Sequence, residues 1–172
     1  MHEGFLANRA FPLSRHPSPV GAIQKLGNEL TALERIAANL DEAVTEMSVP
    51  PRQPELAAVG YYLHGFYTGF ESIIERIVDR LGESKPTGPN WHTELLDQTT
   101  EPAPGLRPAV IDKRSRQRIE AYRRFRHFFR HAYSVPLEWS RMEAEAAGAA
   151  DLLDELRSQL TVFFDRLQSE RD

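Results

Sequence analysis

The chain contains no cysteine. That removes disulfides, thiolate-bound zinc and a cysteine nucleophile from its candidate chemistries. No run approaches the ~18 apolar residues that a spanning helix needs, so no membrane association is expected. The N-terminus lacks a basic stretch followed by an apolar one, so no secretory signal is expected and a cytoplasmic protein is the default. Nothing alternates at period two, which argues against a sheet. No Glu precedes a His by three residues, so a carboxylate-bridged metal bundle, built on Glu-x-x-His pairs, finds no support. Neither a metal nor a cofactor is expected, and no internal repeat recurs at a fixed period.

What is present suits one soluble domain. Its 172 residues are 41% hydrophobic and 27% charged, enough for a single substantial core. The net charge of −4 is unevenly spread: Asp112 to His131 holds eight Lys or Arg and two acids, +6 in twenty residues, leaving −10 elsewhere. A concentrated basic strip on an acidic body points to a polyanion, although a solvated helix face is the plainer reading.

Residues 1–18 show no sustained period and read as an N-terminal arm docked through Phe5 and Phe11; residues 19–172 form the domain. Ser18 as N-cap and Pro19 in the first turn open a helix. Its stripe is Ile23, Leu26, Leu30, Leu33, Ala37, Leu40, Val44 and Met47, and Pro50, Pro51 and Pro54 end it. A second helix over 54–81 carries Leu56, Val59, Leu63, Phe66, Phe70, Ile73, Ile77 and Leu81, with Gly82 as its stop. Gly65 and Gly69 within it call for a close helix neighbour, since each costs about 1 kcal/mol against Ala. His64 lies off the stripe and reads as structural. Residues 83–109 are irregular and Pro-rich, with a short helical pattern at 91–98; a connection this long is usually functional or flexible. Trp91 and Leu95 pin it to the bundle, and His92 is available to a site but shows no partner.

A third long helix spans 110–133, with Ile119, Tyr122, Phe125, Phe129 and Ala132 as its stripe. A last one runs from Pro136 to about Gln168 through Met142, Ala146, Ala149, Leu153, Leu156, Leu160, Phe163 and Leu167. The expected fold is therefore all-α: an antiparallel four-helix bundle with a short extra helix in a long Pro-rich connection.

The third helix carries Arg126, four residues, His131, one residue, and Tyr133. A bare Arg-x4-His is cheap in so arginine-rich a chain, but the added Tyr lowers chance matches to roughly 0.02 per chain. At 100° per residue, Arg126 and Tyr133 share one edge of the buried stripe, whereas Arg126 and His131 stand about 140° apart. One straight helix does not easily aim both at one atom. Either the helix frays near His131, or a second chain completes the site, or the long Arg126 side chain sweeps part of the angle.

This pattern, Arg126-His127-x3-His131-x-Tyr133 on the third long helix of a bundle, resembles the HEPN ribonucleases and most of all the HepT toxins. In that family the residue after the Arg is Asn, Asp or His, and His127 fits. The N-terminal arm and the Pro-rich connection depart from the pattern. The resemblance implies a HEPN-like fold and a metal-independent ribonuclease toxin, acting as a homodimer on RNA, tRNA included. It further implies a cognate minimal nucleotidyltransferase antitoxin that AMPylates Tyr133.

The residues suit that chemistry. RNA supplies its own nucleophile, the 2′-OH, so cleavage needs a proton acceptor, a proton donor and charge stabilisation. His131 is the candidate acid/base group, because imidazole titrates near neutral pH. Arg126 is the candidate phosphate clamp. The products would be a 2′,3′-cyclic phosphate and a 5′-hydroxyl. His127, Tyr133, Arg123 and Arg130 are the candidate substrate-binding residues, with Arg124 and the Lys113–Arg118 cluster steering the backbone. Two other readings stand beside this one. Arg126 could pair with a bundle carboxylate, such as Glu75 or Asp154, while His131 caps a helix end, a purely structural role. Alternatively, a non-catalytic HEPN module could bind nucleotide or a partner protein.

Overall fold

The computed structural model describes residues 19–132 and 135–169, with side chains from residue 27 onward. The N-terminal arm, its Phe5 and Phe11 and the Ser18 cap lie outside the described residues, as does Tyr133. Five helices follow in order: α1 (Pro19–Thr45), α2 (Gln53–Arg80), α3 (Trp91–Thr100), α4 (Lys113–His131) and α5 (Glu143–Ser169). Between them lie a 3-10 turn at Trp139–Arg141 and one bridge between Ala103 and Arg107.

The four long helices close a ring: α1 lies between α2 and α5, α2 packs on α4, and α4 returns to α5. The short α3 leans on α2 and α4. The core is built from the expected stripes, with Leu33, Leu40, Leu63, Phe66, Phe70, Ile119, Leu156 and Phe163 buried, and Ile74, Val78 and Leu152 in addition. Each stripe turns one face of its helix inward, which is how amphipathic helices find a common core.

Glycines allow α2 to approach its neighbours closely. A Cβ on Gly69 would stand 3.0 Å from Leu33 Cδ1 of α1. A Cβ on Gly60, a position the sequence pattern did not single out, would stand 2.4 Å from the Phe129 ring of α4. That ring stacks on Phe125 at 5.7 Å and lies 6.1 Å from the His64 ring, so it is hemmed in. Gly60→Ala should therefore lose about 1–2 kcal/mol net, overpacking outweighing the better helix propensity of Ala. A urea denaturation midpoint checks this. Gly82 ends α2 as expected, at φ +75°, where the Glu83 N–H returns to the Val78 carbonyl.

Two helix starts differ from the sequence pattern. The third long helix begins at Lys113 rather than Val110. The N–H groups of Val110 and Ile111 are drawn instead to the Thr99 carbonyl, at 2.8 and 3.3 Å, and Asp112 caps the helix by accepting from the Ser115 N–H at 2.7 Å. The last helix begins at Glu143 rather than Pro136. The Gln53 amide clamps Leu137 from both sides, donating to its carbonyl (2.8 Å) and accepting from its N–H (3.0 Å). Those backbone groups are then unavailable to a helix. The Pro-rich connection is pinned as well: the buried Arg107 donates to both Glu83 oxygens and to the carbonyls of Gln98, Glu101 and Pro108.

Candidate functional site

Arg126 projects from α4 into the seam with α2. Its guanidinium carbon lies 5.7 Å from the centre of the Tyr67 ring, and Nη2 lies 3.8 Å from Glu71 Oε2. Glu71 is nearly fully buried and makes three contacts at once. It accepts from the Tyr67 hydroxyl at 2.8 Å, meets His92 Nδ1 from α3, and faces Arg126. Burial, then the adjacent Glu71 charge, push the Tyr67 hydroxyl far above the phenol range, so it stays protonated and serves as a donor.

The partner of Arg126 is thus Glu71, not Glu75 or Asp154. Glu75 lies one turn farther along α2, beside Lys85, and Asp154 is exposed. Sequence reasoning missed Glu71 because an acid next to a stripe residue defaults to solvent. The available signal was its i, i+4 spacing from Tyr67, which places both on the edge of α2 that meets α4. His92, without a partner in the sequence, finds Glu71 here, and its ring stacks on Trp91 at 3.6 Å.

The α4 helix is regular from Arg126 to His131 and ends there, with Ala132 as its C-cap. His131 is exposed, and its Nδ1 donates to the His127 carbonyl at 2.7 Å, so the capping role is present. A carbonyl only accepts, so Nδ1 carries the proton and neutral His131 keeps its lone pair on Nε2. The His127 ring, also exposed, stands 4.9 Å from that of His131. Arg126 and His131 are not brought into contact within one chain.

The basic strip divides in two. Lys113 pairs with Glu101, Arg114 and Arg118 with Glu155, and Arg116 with Asp97. Arg123 is held by Glu120 through Nε and Nη2, at 2.7–3.1 Å. The exposed Arg124 and Arg130 make no ion pair among the described residues. Their end of the strip, beside His127 and His131, is where unneutralised positive charge collects.

His64 faces this region from α2. Burial, then the charges of Arg126 and Arg130, hold its imidazole below the ordinary 6.5, and Glu71 opposes them only in part. An unfolded chain takes up a proton there as pH falls through about 6.5, and the folded one does so only lower. The stability from His64 is therefore complete above pH 6.5 and declines below it. His64→Phe should flatten that part of the acid limb when melting temperature is followed against pH.

Among the described residues, no three His, Asp or Glu side chains converge as a metal cage, and no helix is long and apolar enough to cross a membrane. A ring of four long helices, with Arg126 of α4 facing α2, fits a HEPN-like bundle. The family model for HepT-like proteins matches residues 58–167, from early α2 to the end of α5, and the chain belongs to that family. No curated protein and no solved structure matches the chain.

Proposed function

We propose that this protein is a metal-independent endoribonuclease, the toxin of a type II toxin–antitoxin pair acting on cytoplasmic RNA. The observation that carries the reading is a complementary pair of unspent groups on one helix. Arg126 has a buried Nε without a partner and no carboxylate within hydrogen-bonding distance, and His131 has a free Nε2 lone pair. Arg126 would hold the phosphate and the charge that grows on it, while His131 Nε2 takes the 2′-OH proton. The attacking 2′ oxygen bonds to phosphorus, the P–O5′ bond breaks, the 5′ oxygen takes a proton from water and leaves as a hydroxyl, and a 2′,3′-cyclic phosphate remains.

Arg126 and His131 point about 140° apart on an unbroken helix, so the working site combines Arg126 of one copy with His131 of another. A homodimer supplies two such sites. His127, Arg124 and Arg130 would receive the RNA backbone. Arg123, closed on Glu120, would join only if that pair opened. Tyr133 would contact the substrate and accept AMP from a minimal nucleotidyltransferase antitoxin, which adds bulk and negative charge beside the site.

The test is incubation of RNA with the protein in EDTA, followed by analysis of the new ends. Cyclic phosphate and 5′-hydroxyl ends are expected. Intact RNA from folded, dimeric protein would favour the second reading, a non-catalytic HEPN module. The separation of Arg126 from His131 within one chain favours that module if no second copy closes the site.

A further inference from the structure

Two arginines of α4 meet a carboxylate in opposite ways. Arg123 is spent: Nε and Nη2 both donate to Glu120. Arg126 is less exposed than Arg123, yet Glu71 stops 3.8 Å short of its Nη2 and its Nε has no partner. The difference lies in what else holds the carboxylate. Glu120 is engaged by arginines alone. Glu71 Oε1 already receives the Tyr67 hydroxyl and the Nδ1–H of His92, and His92 is steadied by Trp91 stacked against it.

We infer that α3 braces the seam, with His92 and Tyr67 holding the Glu71 carboxylate so that it orients Arg126 by charge while leaving the guanidinium donors open to phosphate. Glu71 and His92 are then positioning residues. The inference rests on reading Arg126 as the phosphate-binding group. It also gives the Pro-rich connection a task at the site, because that segment delivers His92. Without the His92 donor, only the Tyr67 hydroxyl still holds Oε1, and with one donor in place of two the carboxylate can turn and close on Arg126, as Glu120 does on Arg123.

The test compares His92→Phe, which keeps an aromatic surface against Trp91 but has no donor, with His92→Asn, whose amide N–H can replace Nδ1–H. Three quantities are read on the full chain. The first is the Arg126 Nε–H resonance in RNA-free protein, assigned by its loss in Arg126→Lys. The second is the affinity for a 2′-O-methyl oligoribonucleotide, which has no free 2′-OH and stays uncut. The third is the single-turnover cleavage rate.

His92→Phe should move the resonance to that of a paired guanidinium, weaken binding about tenfold and slow cleavage at least as much. His92→Asn should keep the wild-type resonance and stay within about threefold in the other two. Wild-type resonance and binding in His92→Phe would overturn the brace, as would equal damage in both variants. If the resonance and binding respond as expected but the wild type leaves RNA uncut, the ribonuclease reading fails and the brace stands.

Discussion

Arg126→Ala is expected to lower single-turnover RNA cleavage by about 10²–10³-fold, and His131→Ala by about 10²–10⁴-fold. The two losses differ in origin. In the proposed mechanism the arginine would stabilise charge that grows on the phosphate, and the histidine would move the proton that makes the 2′ oxygen a nucleophile. Because they act on one event, the double variant should be little slower than the worse single one. His131 is exposed, so its loss should leave the unfolding midpoint near wild type. Arg126→Ala is less clean, since it leaves the buried Glu71 without its cationic partner. Arg126→Lys separates the effects: a lysine keeps the charge opposite Glu71 but presents no planar fork. Cleavage should stay low in Arg126→Lys while the midpoint recovers.

The largest expected stability loss lies away from the site, at Arg107. Its side chain is 1% exposed, its carboxylate partner Glu83 is 9% exposed, and three backbone carbonyls also depend on it. Removing one partner of a buried, fully bonded pair strands the other charge, and Arg107→Ala should lose about 3–5 kcal/mol in urea denaturation. Arg114→Ala is the contrast. Its pair with Glu155 is long, at 3.4 Å, and Arg114 is 76% exposed, so less than about 1 kcal/mol is expected. Similar losses in both would mean that burial does not set the difference. Because Arg107 joins the start of the Pro-rich connection to its end, its loss should also loosen the support under His92.

These contrasts show what could be read from sequence. Helix identity and the buried stripes were legible because a 3-4 apolar spacing is a local signal that the bundle then uses directly. Residues such as Leu63, Phe66, Phe70 and Leu156 are buried as their spacing requires. The Arg126–His131 part of the family motif was legible too, being contiguous on α4. Long-range polar pairing was not. Arg107 meets Glu83 across 24 positions and His92 meets Glu71 across 21, and side-chain periodicity says nothing about which acid meets which base. The start of α5 was misplaced for the same reason, since the Gln53 clamp on Leu137 joins residues 84 positions apart. The basic strip could be counted in sequence, but its division into a neutralised half and an open half depends on Glu101, Glu155 and Asp97 arriving from other parts of the chain.

On the proposed reading, Arg126 and His131 cut RNA as one site shared by two copies of the chain. Mixing Arg126→Ala with His131→Ala, each inactive alone, tests it most directly. After subunit exchange about half of the dimers are mixed, and each mixed dimer holds one intact site and one doubly damaged site. Cleavage in EDTA should then return to about a quarter of the wild-type rate. A mixture as inactive as its two parents, with mixed dimers demonstrably formed, would contradict the account.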